Sequence, residues 1–315
     1  MSGRSPRQIR EITRSLSGPA VAVRPGMHKT LAALLVLSAS TALAAPAPVV
    51  GGTTVPEGAW PDAVAVLAQS AACTGTLIAP DVVLTAGHCI EVAPVEVIVA
   101  ATDYAQPGGE VIRVKSATAY PNWRDTYDVG VLVLERASAT PPRAIASACT
   151  AEQLVTGAKV RVVGFGLTTQ AGTGDNTKLH QAQLTVVDPT CTTEAACASA
   201  VAPHGEFVAG GGGKDACFGD SGGPIYLGDA LIGVVSRGMA VAGKPCGGGG
   251  IYVRADAVAG WIERVTKRKL TRASCDKADG ETPADGGTGC SAGAGTAAAP
   301  FALLGLALVR RRRRA

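Results

Sequence analysis

The chain predicts an all-β fold, a barrel or a sandwich, on three observations. Short segments rich in β-branched residues recur along it, Gly, Pro, Asp and Asn separate them, and 40 of its 315 residues are glycine while 4% are aromatic. Short strands bounded by turn residues have this pattern. Segments 63–67, 95–100, 111–114, 129–134, 159–163 and 181–187 read as strands. Segments 224–227 and 230–236 flank Gly228-Asp229 and read as a hairpin. One helix is expected, because Val258, Trp261, Ile262 and Val265 fall at i, i+3, i+4 and i+7 and make one apolar face.

The two ends differ from the middle. The formal charge is +4, but residues 1–44 and 291–315 hold 11 Lys/Arg and one acid, which leaves 45–290 at −6. Nothing in that acidic middle suggests a nucleic-acid surface, and the basic ends look like membrane-targeting flanks. Met27-His-Lys-Thr, the apolar run 31–37 and the small residues up to Ala44 read as a secretory signal peptide over 27–44. Residues 1–26 are arginine-rich without apolar periodicity, and Met27 is the expected initiator. After about Leu270 the chain becomes a polar Gly/Asp/Thr stretch with too little apolar content to fold, a linker over 271–290.

Three motifs carry the chemistry. Thr85-Ala-Gly-His-Cys89, Asp128-Val-Gly-Val-Leu132 and Asp215-Ala-Cys-Phe-Gly-Asp-Ser-Gly-Gly-Pro224 supply His88, Asp128 and Ser221 in that order. A serine hydroxyl is a weak nucleophile until a neighbouring base takes its proton. Histidine titrates near neutrality and suits that role, and a buried carboxylate fixes its tautomer and stabilises the imidazolium. Gly219-Asp-Ser-Gly-Gly223 also fits the G-x-S-x-G elbow of α/β-hydrolases. That fold needs its histidine after the serine, and His28, His88, His180 and His204 all precede Ser221, so the elbow reading fails.

On these motifs the chain resembles the trypsin/chymotrypsin family of serine endopeptidases over residues 49–265. Val49-Val-Gly-Gly52, the 73–78 run, Gly164-Phe-Gly166 and Gly250-Ile-Tyr252 extend the likeness. The resemblance implies two six-stranded antiparallel β-barrels, an active site in the cleft between them, and a C-terminal helix docked on the second barrel. It implies an acyl-enzyme mechanism with His88, Asp128 and Ser221 as triad, and the N–H groups of Gly219 and Ser221 as oxyanion hole. A side chain at Gly219 would disfavour the backbone conformation needed there. Asp215 matches the base of the primary pocket, where a carboxylate pairs with substrate Arg or Lys. Ser236, Gly238 and Gly250 match the pocket walls, and Ser236 also matches a contact of the buried aspartate.

The resemblance further implies that Asp220 pairs with the freed α-amino group of Val49. Pro48 precedes Val49 where the family has Arg or Lys. Signal cleavage after Ala44 would leave Ala45-Pro-Ala-Pro48 as a propeptide, open to an Xaa-Pro dipeptidyl peptidase or an enzyme that cuts after proline. Among nine cysteines, Cys73–Cys89 and Cys217–Cys246 match family bridges. With Cys290 assigned to the tail, the other four allow three pairings. Cys191–Cys197 is the local choice and leaves Cys149 with Cys275.

Other departures bear on detail. Gly87 replaces the family's usual alanine and is expected to leave the imidazole in place. Arg237 replaces a tryptophan, so neighbouring subsites are expected to be more polar and to favour acidic residues. The glycine runs 210–213 and 247–250 read as loops, not phosphate cradles. No cluster has metal-ligand spacing, the family's calcium loop is not recognisable at 101–110, and neither cofactor nor metal is expected.

The chain ends with Gly289-Cys-Ser291, an apolar run over 293–309, and Arg310–Arg314. As a helix, the run would reach roughly 25 Å, barely a bilayer, and five arginines would resist crossing. This tail resembles the myxosortase-type (MYXO-CTERM) sorting signals of Gram-negative surface proteins, in which the cysteine, here Cys290, carries the anchor. A plain single-span anchor is the alternative. The reading is thus a monomeric, exported protease (49–270) tethered to the cell surface or outer membrane, acting on protein or peptide substrates after Arg or Lys. Two other readings are a non-catalytic binding module on the same fold and a processing protease with one partner.

Overall fold

A computed structural model of the chain describes residues 48–239, 241 and 243–274. The extension 1–26, the signal peptide, most of the propeptide, Cys275, most of the linker, Cys290 and the tail lie outside the described residues. Among those described, no helix is long and apolar enough to cross a membrane.

Two closed six-stranded antiparallel barrels follow one another in the chain. The two-residue β1 (Thr53–Thr54) comes first and pairs with a strand of the second barrel. The first barrel holds β2 (Ala63–Leu67), β3 (Ala72–Ala79), β4 (Val82–Thr85), β5 (Glu96–Val99), β6 (Glu110–Ala119) and β7 (Gly130–Leu134), in the order β2-β3-β4-β7-β6-β5. The second holds β8 (Lys159–Gly164), β9 (His180–Asp188), β10 (Glu206–Ala209), β11 (Pro224–Leu227), β12 (Ala230–Gly238) and β13 (Gly250–Arg254). Its order β9-β10-β13-β12-β11-β8 closes through β8 and β9.

Side chains alternate faces along a strand, and here both faces find a core. Val64 and Val66 of β2 point into the first barrel with Leu77, Val83, Val97 and Leu132. Ala63 and Ala65 of the same strand join a seam cluster with Val131, Phe165, Val234 and Val253. The second barrel closes on Val160, Leu184, Phe207, Ile225, Ile232 and Tyr252.

A polar clamp also joins the barrels. Arg143, in the connection between them, forks onto Asp62 at 2.9 and 2.5 Å, and the Tyr226 hydroxyl donates to the same carboxylate at 2.7 Å. Trp60 stacks on Tyr226 with ring centroids 4.4 Å apart.

The helix Ala255–Thr266 buries Val258, Trp261 and Ile262 as expected. The fourth expected position, Val265, is 41% exposed, and Ala259 and Thr266 are buried instead. The contact face is therefore rotated toward i, i+1 and i+4. Trp261 reaches Tyr120 of the first barrel at 5.0 Å, so the helix packs on the seam as well as on the second barrel. Ile145 pairs with the chain at 271–273, and Leu270 is buried. The packed chain therefore runs three residues past the boundary at 270 expected from composition.

Candidate active site

His88 lies in the short helix Gly87–Glu91 just after β4. Asp128 immediately precedes the β7 region and is 7% exposed. Its Oδ2 accepts from His88 Nδ1 at 2.8 Å and its Oδ1 from the His88 backbone N–H at 2.9 Å. The Ser236 hydroxyl on β12 donates to Oδ2 at 2.8 Å. Burial opposes ionisation of Asp128, but the hydrogen bonds and charge of His88, with the Ser236 hydroxyl, outweigh it and hold the carboxyl below its ordinary value. With Nδ1–H given to Asp128, the other ring nitrogen is left as the acceptor.

Ser221 comes from the second barrel, in the turn between β10 and β11. It lines, with His88, Ala216, Phe218, Ser236, Gly238 and Cys246, a cleft of about 440 Å³. Backbone bonds pin the turn: Thr74 N–H donates to Ser221 O at 2.9 Å and Gly222 N–H to Val235 O at 2.8 Å. Gly219 has φ +98°, and a Cβ there would approach Gly166 Cα to 3.0 Å, so glycine is required. Among the described residues, the N–H groups of Gly219 and Ser221 donate to no protein acceptor.

Asp215 is fully buried beneath the cleft and does not line its open part. A Cβ on Gly238, which does line it, would lie 3.8 Å from Asp215 Oδ2, and one on Gly250 would lie 3.2 Å from Oδ1. Gly247 N–H donates to Oδ2 at 3.1 Å, while Oδ1 and the neighbouring Tyr252 hydroxyl have no partner. Burial pushes the Asp215 carboxyl up to about 6, against the pull of the Gly247, Ala216 and Gly249 amides. A buried carboxylate oxygen without a partner suits a cationic ligand.

Asp220 is also fully buried and accepts from Gly166 N–H and Cys217 N–H, each at 2.8 Å. Glycine at 164 and 166 makes room for it, since a Cβ at either would lie 2.2–2.3 Å from its carboxyl atoms. Burial pushes this carboxyl up to about 7, and the charge of Asp215 adds to the effect. No cationic side chain among the described residues pairs with it. The 49–50 segment is already seated close by: Val49 and Val50 are buried, and Asp215 N–H donates to Val50 O at 3.1 Å.

Cysteines 73 and 89, 191 and 197, and 217 and 246 are joined in disulfides. Cys149 is also disulfide-bonded, and its expected partner Cys275 lies outside the described residues.

Beside Gly87 the imidazole is bonded to Asp128 at 2.8 Å, and a Cβ at 87 would lie 2.8 Å from Trp123 Cγ and 3.1 Å from Asp128 Oδ1. Trp123, whose ring is 6.2 Å from that of His88, occupies the space a methyl group would need. One expectation needs correction: Arg237 does not offer a free charge to an acidic substrate residue, because its guanidinium forks onto Glu206 at 2.7 and 2.9 Å. The sequence reading also passed over Phe218, which is 60% exposed on the cleft rim. Its place between Cys217 and Gly219 was the available signal; Glu206 and Trp123 carried none.

The Trypsin family model matches residues 49–262. The chain belongs to the trypsin family. A trypsin of Saccharopolyspora erythraea is 34% identical over 196 residues, covering 59% of this chain and 82% of that protein. Trypsin 5G1 of Aedes aegypti is 30% identical, covering 69% of this chain and 85% of its own length. Glucanase inhibitor protein 1 of Phytophthora sojae is 32% identical, covering 70% and 89%. This trypsin-family chain is a serine protease by that membership, and its substrates are proteins or peptides.

Proposed function

We propose that the chain is an exported, surface-tethered endopeptidase that cleaves after Arg or Lys. Ser221 Oγ attacks the scissile carbonyl while His88 takes its proton and then passes it to the leaving amine. Asp128 stays ionised, holding the ring and stabilising the imidazolium. The N–H groups of Gly219 and Ser221 receive the developing oxyanion, one such donor being worth about 10²–10³ in rate. Water then attacks the acyl-enzyme along the same path in reverse. Asp215 Oδ1, buried without a partner beneath the cleft, supports a cationic P1 residue, with Gly238 and Gly250 leaving its approach open. The observation that carries the reading is the 2.8 Å His88–Asp128 bond opening onto the cleft that Ser221 lines.

On this reading, removal of residues 45–48 frees the Val49 amine to pair with Asp220. The signal peptide, the linker and a Cys290-anchored tail are proposals of the same standing, and export is consistent with the disulfides. Their test is fractionation: full-length protein should sediment with the cell envelope, and Cys290→Ala should not.

The relative named a glucanase inhibitor protein favours a second reading, a binding module without turnover. A peptide-library digest with the matured protein and with Ser221→Ala separates the two. Cleavage after Arg and Lys by the first alone supports the endopeptidase. Binding without cleavage by both supports the module.

A further inference from the structure

Arg237 follows Ser236 on β12 and lines the cleft, and all three of its guanidinium nitrogens are bonded to protein acceptors. Nη1 donates to Glu206 Oε1 at 2.7 Å and to Ser236 Oγ at 2.9 Å. Nη2 donates to Glu206 Oε2 at 2.9 Å, and Nε and Nη2 to Ala196 O at 3.0 and 2.6 Å. Glu206 on β10 has 1% of its side chain exposed, and Arg237 33%. The planar guanidinium matches a carboxylate in two parallel bonds, which fixes its orientation as a lysine could not. Glu206 Oε2 also accepts from Ala198 N–H at 2.8 Å, just after the loop closed by Cys191–Cys197.

A serine hydroxyl has one hydrogen and two lone pairs. Arg237 can only donate, so it takes a lone pair of Ser236 Oγ and excludes any rotor that aims the hydrogen at it. That hydrogen goes to Asp128 Oδ2 at 2.8 Å, the oxygen that also receives His88 Nδ1. Glu206, Arg237, Ser236, Asp128 and His88 therefore form one continuous chain of hydrogen bonds.

We propose that Arg237, held by Glu206, is a positioning residue for the triad: it fixes the Ser236 hydroxyl in the rotor that donates to Asp128, and so fixes the carboxylate that orients His88. The proposal rests on the endopeptidase reading above. It also accounts for a cation beside the cleft that is not offered to substrate.

The test uses the matured protein in four forms: unaltered, Ser236→Ala, Arg237→Met with Glu206→Gln, and the triple variant. Glu206 is changed together with Arg237 because the buried carboxylate left alone would threaten folding; thermal melting confirms that each form is folded. On a small Arg-anilide substrate, kcat of the Arg237/Glu206 variant should fall about tenfold or more with KM little changed, the value of one hydrogen bond to a charged group. Ser236→Ala should fall similarly, and the triple variant no further, because Arg237 acts through Ser236. Losses that multiply in the triple variant, or that appear in KM alone, overturn the proposal. The downfield proton resonance of the His88 Nδ1–Asp128 bond, read without turnover, should move alike in both variants; an unmoved resonance in the Arg237/Glu206 variant also overturns it. Failure of the unaltered protein to hydrolyse the substrate would count against the endopeptidase reading, and the resonance would still judge the positioning.

Discussion

Asp220→Asn in the chain that still carries Pro48 tests the activation pairing through stability, apart from catalysis. In that form the carboxyl is fully buried, with two amide donors and no cation, and is held near 7 against an ordinary 3.8. The folded state therefore binds the Asp220 proton more tightly than the unfolded state. Stability from this group is full below about pH 4 and is lost as pH rises toward 7, a loss on the order of 3 kcal/mol. Asparagine does not ionise, but it offers one acceptor oxygen to two N–H groups, which costs about 1 kcal/mol. The Asn variant should then be slightly less stable than the parent at pH 4 and about 2 kcal/mol more stable at pH 7. Urea unfolding at both pH values, in a Ser221→Ala background that prevents self-digestion, measures this. With residues 45–48 removed the order at pH 7 should reverse, because the Val49 ammonium then pairs with Asp220 and has no counterpart in the variant. Parallel pH curves for parent and variant before removal, or no reversal after it, would refute the reasoning.

Three further outcomes are expected. Asp215→Ser should sharply reduce cleavage after Arg and Lys in a peptide digest while an active-site acylating reagent still labels Ser221, because the substrate cation would be desolvated without a partner. Gly87→Ala should lower kcat and destabilise the protein by about 1–3 kcal/mol, since the new methyl group must displace Trp123 or Asp128; unchanged melting and kcat would mean that Trp123 moves freely. Asp62→Asn should lower unfolding free energy by about 3 kcal/mol by breaking the Arg143 fork between the barrels; an additive result with Tyr226→Phe in a double-mutant cycle would argue against one shared clamp.

Alternation marked only some of the strands, and β2, β7 and β12, buried on nearly every residue, were legible from their β-branched runs instead. Segment 181–187 lies in β9, whose residues alternate buried and less buried along its length, and period-two patterning exposes such a strand at once. β3, β10 and β13 are buried on almost every residue, because one face fills a barrel while the other fills a seam or packs on a neighbour. Such strands lack alternation, and only motif resemblance marked 73–78 and 250–252. The helix shows the same limit from the other side. Its spacing put Val258, Trp261 and Ile262 inside, but two surfaces meet it, and their joint direction turns Val265 out to solvent.

The site divides along a similar line. His88, Asp128 and Ser221 were visible because each sits in a motif with glycine required beside it: Gly87 for the space Trp123 fills, Gly130 for the space Ile90 fills, and Gly219 and Gly222 for their positive φ. Arg237 and Glu206 were opaque because their meaning is pairwise. Read alone, Arg237 is a cation beside a cleft and predicts an acidic subsite. Read with a carboxylate 31 residues earlier in the chain, its charge is satisfied and its remaining donor falls on Ser236. Only tertiary structure brings β10 and β12 to either side of β13, so the residue that looked like a contact for substrate is instead turned toward the histidine and aspartate that would act on it.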